Sequence, residues 1–199
     1  LDLSTALYFL IVPFLLTVAS IWLRLPRWLF GAYYALIATA FALAFVADTS
    51  LYPFWHFKLD TSCLQYLDTP TDAMASVSTG YLLVRLLLFL VLVVSLGFLY
   101  DRFAKRPLGQ RGRWPELLVY VALMPLMVIG IRGGLSESTT NIGQVYYSEN
   151  QFLNHSAVNP VFSFLASIGK SSNDIVAYHY YEADECRALT DGLFAARSD

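Results

Sequence analysis

Gly80-Tyr-Leu-Leu-Val-Arg-Leu-Leu-Leu-Phe-Leu-Val-Leu-Val-Val-Ser-Leu-Gly-Phe-Leu-Tyr100 carries one charged side chain, Arg85, in 21 positions. About 20 apolar residues let an α-helix cross the hydrocarbon core of a bilayer. This stretch has no polar face to offer water, so it predicts a transmembrane helix. Working outward, three more runs of similar character occupy about residues 3–23, 28–48 and 115–132. Hydrophobic residues make up 57% of the 199 and charged residues only 14%, the latter gathered between the runs. A soluble domain of this length is less apolar and does not sort its apolar residues into four blocks. The expected fold is an all-α membrane protein. Its transmembrane domain, residues 1–132, is a four-helix bundle, and residues 133–199 form a juxtamembrane linker with amphipathic helices.

Charge sets the expected orientation. Arg24 and Arg27 lie in the first connection, and Arg102, Lys105, Arg106, Arg111 and Arg113 lie in the third. The second connection, residues 49–79, holds Lys58 against Asp60, Asp68 and Asp72. Cationic loops stay in the cytoplasm, which puts both termini and residues 49–79 outside. The chain starts with Leu, so an outside start calls for an odd number of upstream spans, most simply one, making five in all. An outer C-terminal continuation is expected too. The first run is no signal peptide: it lacks a basic leader and a small-residue cleavage site. With a net charge of −2, nothing suggests a nucleic-acid partner.

Within the runs, Pro13 and Pro125 each remove a backbone donor and should kink their helices. Such kinks are tolerated where neighbours satisfy the freed carbonyl. Ala32, Ala35 and Ala38 recur at helical spacing, which suits close helix packing. In the outer connection, Asp60-Thr-Ser and Thr69-Pro70-Thr-Asp72 read as two helix starts. In the tail, residues 133–148 read as an extended loop. Asn159-Pro160 starts a helix ending near Gly169, and residues 182–196 read as an acidic amphipathic helix.

Candidate sites come with simpler readings beside them. Arg132, Gly133 and Gly134 could hold a phosphate or lipid headgroup, the arginine as a fork and the glycines through backbone amides. The alternative is an arginine that snorkels beside a flexible exit. Arg85 within a span could pair with Asp48 or Asp2, or snorkel to the nearby boundary. Cys63 and Cys186 fall on the same expected outer side, where a disulfide is chemically allowed; the simpler reading is two unpaired thiols. His155, His179, Glu182, Asp184 and Glu185 are too scattered for a metal signature, and His56 reads as part of an aromatic interfacial segment. No catalytic set, phosphate loop or nucleophile elbow is present in the sequence.

Four stretches carry a family resemblance: Ala47-Asp-Thr-Ser-Leu-Tyr-Pro-Phe-Trp-His-Phe-Lys-Leu-Asp60, Pro70-Thr-Asp-Ala-Met-Ala-Ser-Val-Ser78, Ile131-Arg-Gly-Gly134 and Asn154-His-Ser-Ala-Val-Asn-Pro-Val-Phe162. Together they resemble the membrane region of the lipoteichoic acid synthase family, in its Bacteroides-type sulfatase-like branch. The resemblance implies about five spans in the inner (cytoplasmic) membrane and a large outer domain of the alkaline phosphatase superfamily. It implies transfer of phosphoglycerol, or in related enzymes phosphoethanolamine, from a membrane phospholipid to envelope lipids or glycans. The catalytic threonine and a divalent metal such as Mn would belong to that outer domain, so no cofactor or catalytic residue is expected in residues 1–199. The expected partners are a membrane phospholipid and the outer domain. A non-enzymatic lipid sensor or regulator with a degenerate outer domain is the second reading. A half-transporter is a third, for which only the proline kinks speak.

Overall fold

The computed structural model describes residues 1–67, 77–106, 110, 112–171, 185 and 187, and among them every regular element is helical. Helix α1 spans Asp2–Ala19 and α2 spans Arg27–Trp55. A 3-10 turn follows at Thr61–Leu67, then α3 at Thr79–Leu99, which runs into a π-helical turn at Tyr100–Ala104. Helix α4 spans Glu116–Arg132. A 3-10 turn at Ile142–Val145, the short α5 at Gln151–Ser156 and α6 at Pro160–Ser171 complete the described elements.

Among the described residues, three helices are long and apolar enough to cross a membrane: α1, α2, and α3 with its π turn, Thr79–Ala104. Helix α3 buries none of its residues within the molecule, as its all-round Leu/Val composition requires. Helix α4 has 17 residues, a length of about 25 Å.

The long helices form a row in which α2 packs on α3 and α1 packs on α4. Edge-on packing of Phe9 against Phe41 closes the seam between α1 and α2, with ring centroids 5.0 Å apart. Two connections meet at one end of the row. Gly112 N–H donates to Ser20 Oγ at 3.2 Å, and Trp22 meets Trp114 edge-on at 5.4 Å. This is the arginine-rich end. At the opposite end, α6 lies across α2 and α1 and touches the Thr61–Leu67 turn.

Several element boundaries differ from the sequence expectations. Helix α1 ends at Ala19 rather than residue 23, because Ser20–Leu23 turn back with their amides on the carbonyls of residues 16–19. Helix α2 continues past residue 48 to Trp55, with Pro53 inside its last turn. It stops where His56 adopts a left-handed conformation, φ 57°. The Asp60 cap is present, its Oδ1 accepting from Ser62 N–H at 2.8 Å, but the helix it opens is 3-10. Helix α5 was not foreseen. Asn150 caps it, accepting from Phe152 N–H at 2.9 Å. Asn159 caps α6 by accepting from the amides of Val161 and Phe162. The expected helix start at Thr69-Pro70 and most of residues 182–196 lie outside the described residues.

Two prolines inside helices leave carbonyls that neighbouring helices satisfy. Pro13 cannot donate to Phe9 O, and Tyr33 Oη donates there instead at 2.5 Å. Pro53 cannot donate to Thr49 O, and Arg85 Nη2 reaches it at 3.3 Å. The Ala32, Ala35, Ala38 stripe does not close tightly on α3. Ala35 and Ala38 line an open cleft between α2 and α3 instead.

Candidate functional site

The end of the bundle opposite the arginine-rich loops holds the densest set of buried polar groups. Asp48 sits on the last turns of α2 and is only 6% exposed. Its carboxylate forms an ion pair with Lys58 and accepts from Leu59 N–H at 3.0 Å. The αL residue His56 reverses the chain, and this reversal brings Lys58 and Leu59 back onto the helix that carries Asp48. The extension of α2 by two turns puts Tyr52 beside α5. Its hydroxyl lies 3.1 Å from His155 Nδ1, and the other ring nitrogen of His155 meets Gln151 Nε2 at 3.3 Å.

Several polar residues of the described part of the tail have a structural partner. Buried Asn154 accepts from the amides of Tyr147 and Ser148, both at 2.9 Å, and donates to Ser148 O, which ties the preceding loop to α5. Asn159 donates to Asp2 Oδ1 at 2.7 Å, joining the start of α6 to the start of α1. Ser167 Oγ accepts from Thr61 N–H at 2.9 Å. Between these elements opens a pocket of ≈ 240 Å³ with a mixed lining, polar at Lys58, Asp60, His155, Ser163 and Ser167 and apolar at Phe57 and Ile142. Ala166 also borders a second, mostly apolar hollow of ≈ 440 Å³, between α1 and α6, lined by Thr5, Tyr8, Phe9, Phe162 and Leu165. A small pocket with polar groups in its wall therefore opens beside an apolar one at one end of the bundle.

The residues singled out from sequence separate into different places. Arg132 Nη2 donates to Ser136 O at 3.1 Å, while the amides of Gly133 and Gly134 both return to Ile129 O at 3.0 Å. Those glycines, with φ of 89° and 132°, cap the C-terminus of α4. Their amides are thus spent on the helix's own carbonyls, and a helix C-terminus repels rather than attracts an anion. Ser4 Oγ and Thr140 Oγ1 dress Ile131 O at the same end. Arg85 does not meet Asp48 or Asp2. It bonds Thr49 through Oγ1 and the carbonyl, and its Cζ lies 4.8 Å from the centre of the Tyr81 ring. Its Nε is buried with no hydrogen-bond partner among the described residues. Asp48 takes Lys58 and Asp2 takes Asn159 instead.

Cys63 lies half-buried in the 3-10 turn, where burial first and the Asp60 carboxylate second push its thiol pKa up. Cys186 and His179 lie outside the described residues. Among the described residues, no group of three His, Cys, Asp or Glu side chains converges to hold a metal.

From sequence, Lys58 stood out only in the charge count and within the stretch 47–60, and His155 only as one of a scatter too loose for a metal signature. One signal was available for Arg85: a proline four residues after Thr49 on one helix, and an arginine near the end of the next. No family model, curated protein or solved structure matches this chain.

Proposed function

We propose that this chain is the membrane-anchoring and lipid-presenting region of a sulfatase-like phosphoglycerol or phosphoethanolamine transferase, similar to the lipoteichoic acid synthase family. The observation that carries the reading is the pocket of mixed lining in which Lys58, His155, Ser163 and Ser167 supply the polar groups, opening beside the apolar hollow at Ala166. A phospholipid has those two parts, a compact anionic headgroup and apolar chains. Two stretches on which the family resemblance rests, residues 47–60 and 154–162, supply the ion pair, the Tyr52–His155 contact and the α6 cap around this pocket.

In this reading α4 is a fourth span and an upstream helix is a fifth. The arginine-rich loops face the cytoplasm. The pocket, α5 and α6 lie at the outer face of the inner membrane. The outer domain of the intact protein holds the catalytic threonine and a metal such as Mn. Fixing a headgroup at a constant height beneath such a metal site raises its effective concentration there. Arg132 lines neither hollow, and any part it has in holding a phosphate rests on its guanidinium alone, since its glycine neighbours have no amide to offer.

The test is headgroup transfer by the intact protein in vesicles containing fluorescent phosphatidylglycerol or phosphatidylethanolamine, with added manganese. Release of fluorescent diacylglycerol, reduced by Ser163→Phe in the pocket, is the expected result. Binding of the same lipids without any turnover would instead favour a non-enzymatic lipid sensor.

A further inference from the structure

The opposite, arginine-rich end of the molecule carries a second composite hollow, unconnected with the pocket just described. Between α2 and α3 runs an apolar cleft of ≈ 580 Å³, walled by Ala35 and Ala38 on one side and Val93, Leu96 and Gly97 on the other. At its end lies a hollow of ≈ 740 Å³ lined by Arg27, Arg102, Lys105 and Arg106 together with Trp28 and Asp101. Gly31 and Tyr100 line both, so the two adjoin.

The local backbone explains why a cationic hollow forms here. Helix α3 ends in a π turn, with Lys105 N–H donating to Tyr100 O at 3.0 Å. Single π turns are frequent at functional sites, and this one contains Arg102 and is followed directly by Lys105 and Arg106. The Tyr100 ring stacks on Tyr34 of α2, with centroids 4.6 Å apart and planes 28° apart. This stack holds the two helices together at the junction of cleft and hollow. Small residues leave the cleft open: a Cβ on Gly97 would meet no atom within 4 Å, and one on Gly31 would only touch Tyr100 Oη at 3.9 Å. Four cations against one acid, Asp101, which is already paired with Lys105, leave a net positive rim.

We infer that the cleft between α2 and α3 binds one anionic phospholipid from the leaflet at the arginine-rich end, with an acyl chain along Ala35, Ala38 and Gly97 and the phosphate at Arg27, Arg102 and Arg106. Charge complementarity selects this occupant. An apolar slot alone would take any chain, but a basic pocket between transmembrane helices takes an anionic headgroup. This site is independent of the proposed transferase activity and lies at the other end of the bundle.

Native mass spectrometry of the full chain released from micelles doped with phosphatidylglycerol or phosphatidylcholine tests it. The expected result is one retained phosphatidylglycerol and preferential loss of phosphatidylcholine. The double variant R102Q/R106Q should lower phosphatidylglycerol retention by roughly 25-fold, about fivefold for each cation removed near the surface. Gly97→Phe, which adds a ring into open space, should lower retention of the same lipid while leaving the helical circular dichroism unchanged. Equal retention of both lipids would overturn the inference. So would retention that survives Gly97→Phe, which would mean loose surface attraction without a chain in the cleft. A dimer that Gly97→Phe dissociates would show that a second copy of the chain, not a lipid, fills the cleft.

Discussion

The guanidinium of Arg85 on α3 donates to the carbonyl oxygen of Thr49 on α2 at 3.3 Å. That carbonyl is the one left without a helical amide by Pro53, four residues on. An intramembrane arginine and a proline near a helix end, two apparent defects, thus compensate each other. The same relation joins Tyr33 on α2 to Phe9 on α1, the carbonyl that Pro13 leaves free.

The arginine and the proline should therefore be energetically coupled. Arg85→Met is expected to destabilise the protein by about 1–3 kcal/mol, the scale of an unsatisfied polar group plus a lost charged hydrogen bond. In a Pro53→Ala background, residue 53 regains its amide and the same arginine replacement should cost less. Unfolding of the four proteins in detergent micelles measures the cycle. An identical cost in both backgrounds would refute the pairing.

A parallel test applies to the first span. Tyr33→Phe removes the hydroxyl that donates to Phe9 O from outside α1 and should cost about 1 kcal/mol or more. Adding Pro13→Ala should recover most of the loss, read by the same unfolding assay.

Asp48 and Lys58 are both largely buried, with side-chain exposures of 8% and 12%. Asp48→Ala strands the ammonium and the Leu59 amide together and should destabilise by about 3–5 kcal/mol. Asp48→Leu with Lys58→Met, which leaves no buried charge, should recover much of this. Limited proteolysis within residues 56–67 gives a local readout: faster cleavage is expected in the single variant than in the double.

Gly133 has φ 89°, and a Cβ there would collide with the Thr140 hydroxyl. Gly133→Ala should cost about 1–3 kcal/mol through strain at the cap of α4. Thr140→Ala in the same chain should relieve the collision but not the backbone strain, so thermal unfolding should recover only in part.

The raised pKa of the Cys63 thiol has a chemical consequence. In a Cys186→Ala background, iodoacetamide should label Cys63 more slowly than a free peptide thiol near pH 8, because less thiolate is present. Labelling should rise through a higher pH range than for the peptide. Since the folded pKa is raised, the stability linked to this thiol is present at low pH and is lost as pH rises through the folded value. Asp60→Asn removes the second cause of the shift and should speed labelling at a fixed pH.

Much of the architecture was legible without coordinates because the bilayer imposes a length on every apolar run. Residues 80–100 could be little else than a membrane helix, and charge placement put the first and third connections on one side; that they touch, Gly112 on Ser20, is a tertiary fact. Asp60 and Asn159-Pro160 were readable as helix starts because capping is a local interaction within a few residues. What remained was decided by contacts between residues far apart in sequence. The end of α2 at Trp55 depends on Arg85, 36 positions from Thr49, which makes Pro53 tolerable inside the helix. The partner of Asp48 is chosen by the left-handed turn at His56, and the partner of Asp2 lies 157 positions away at Asn159. Sequence by itself determined where the long apolar helices lie, though not their ends or the short helix α5, since composition over several turns carries the first and not the others. Only the tertiary structure decided which polar group answers which, because a buried donor or acceptor must take a partner from whatever helix folding brings beside it.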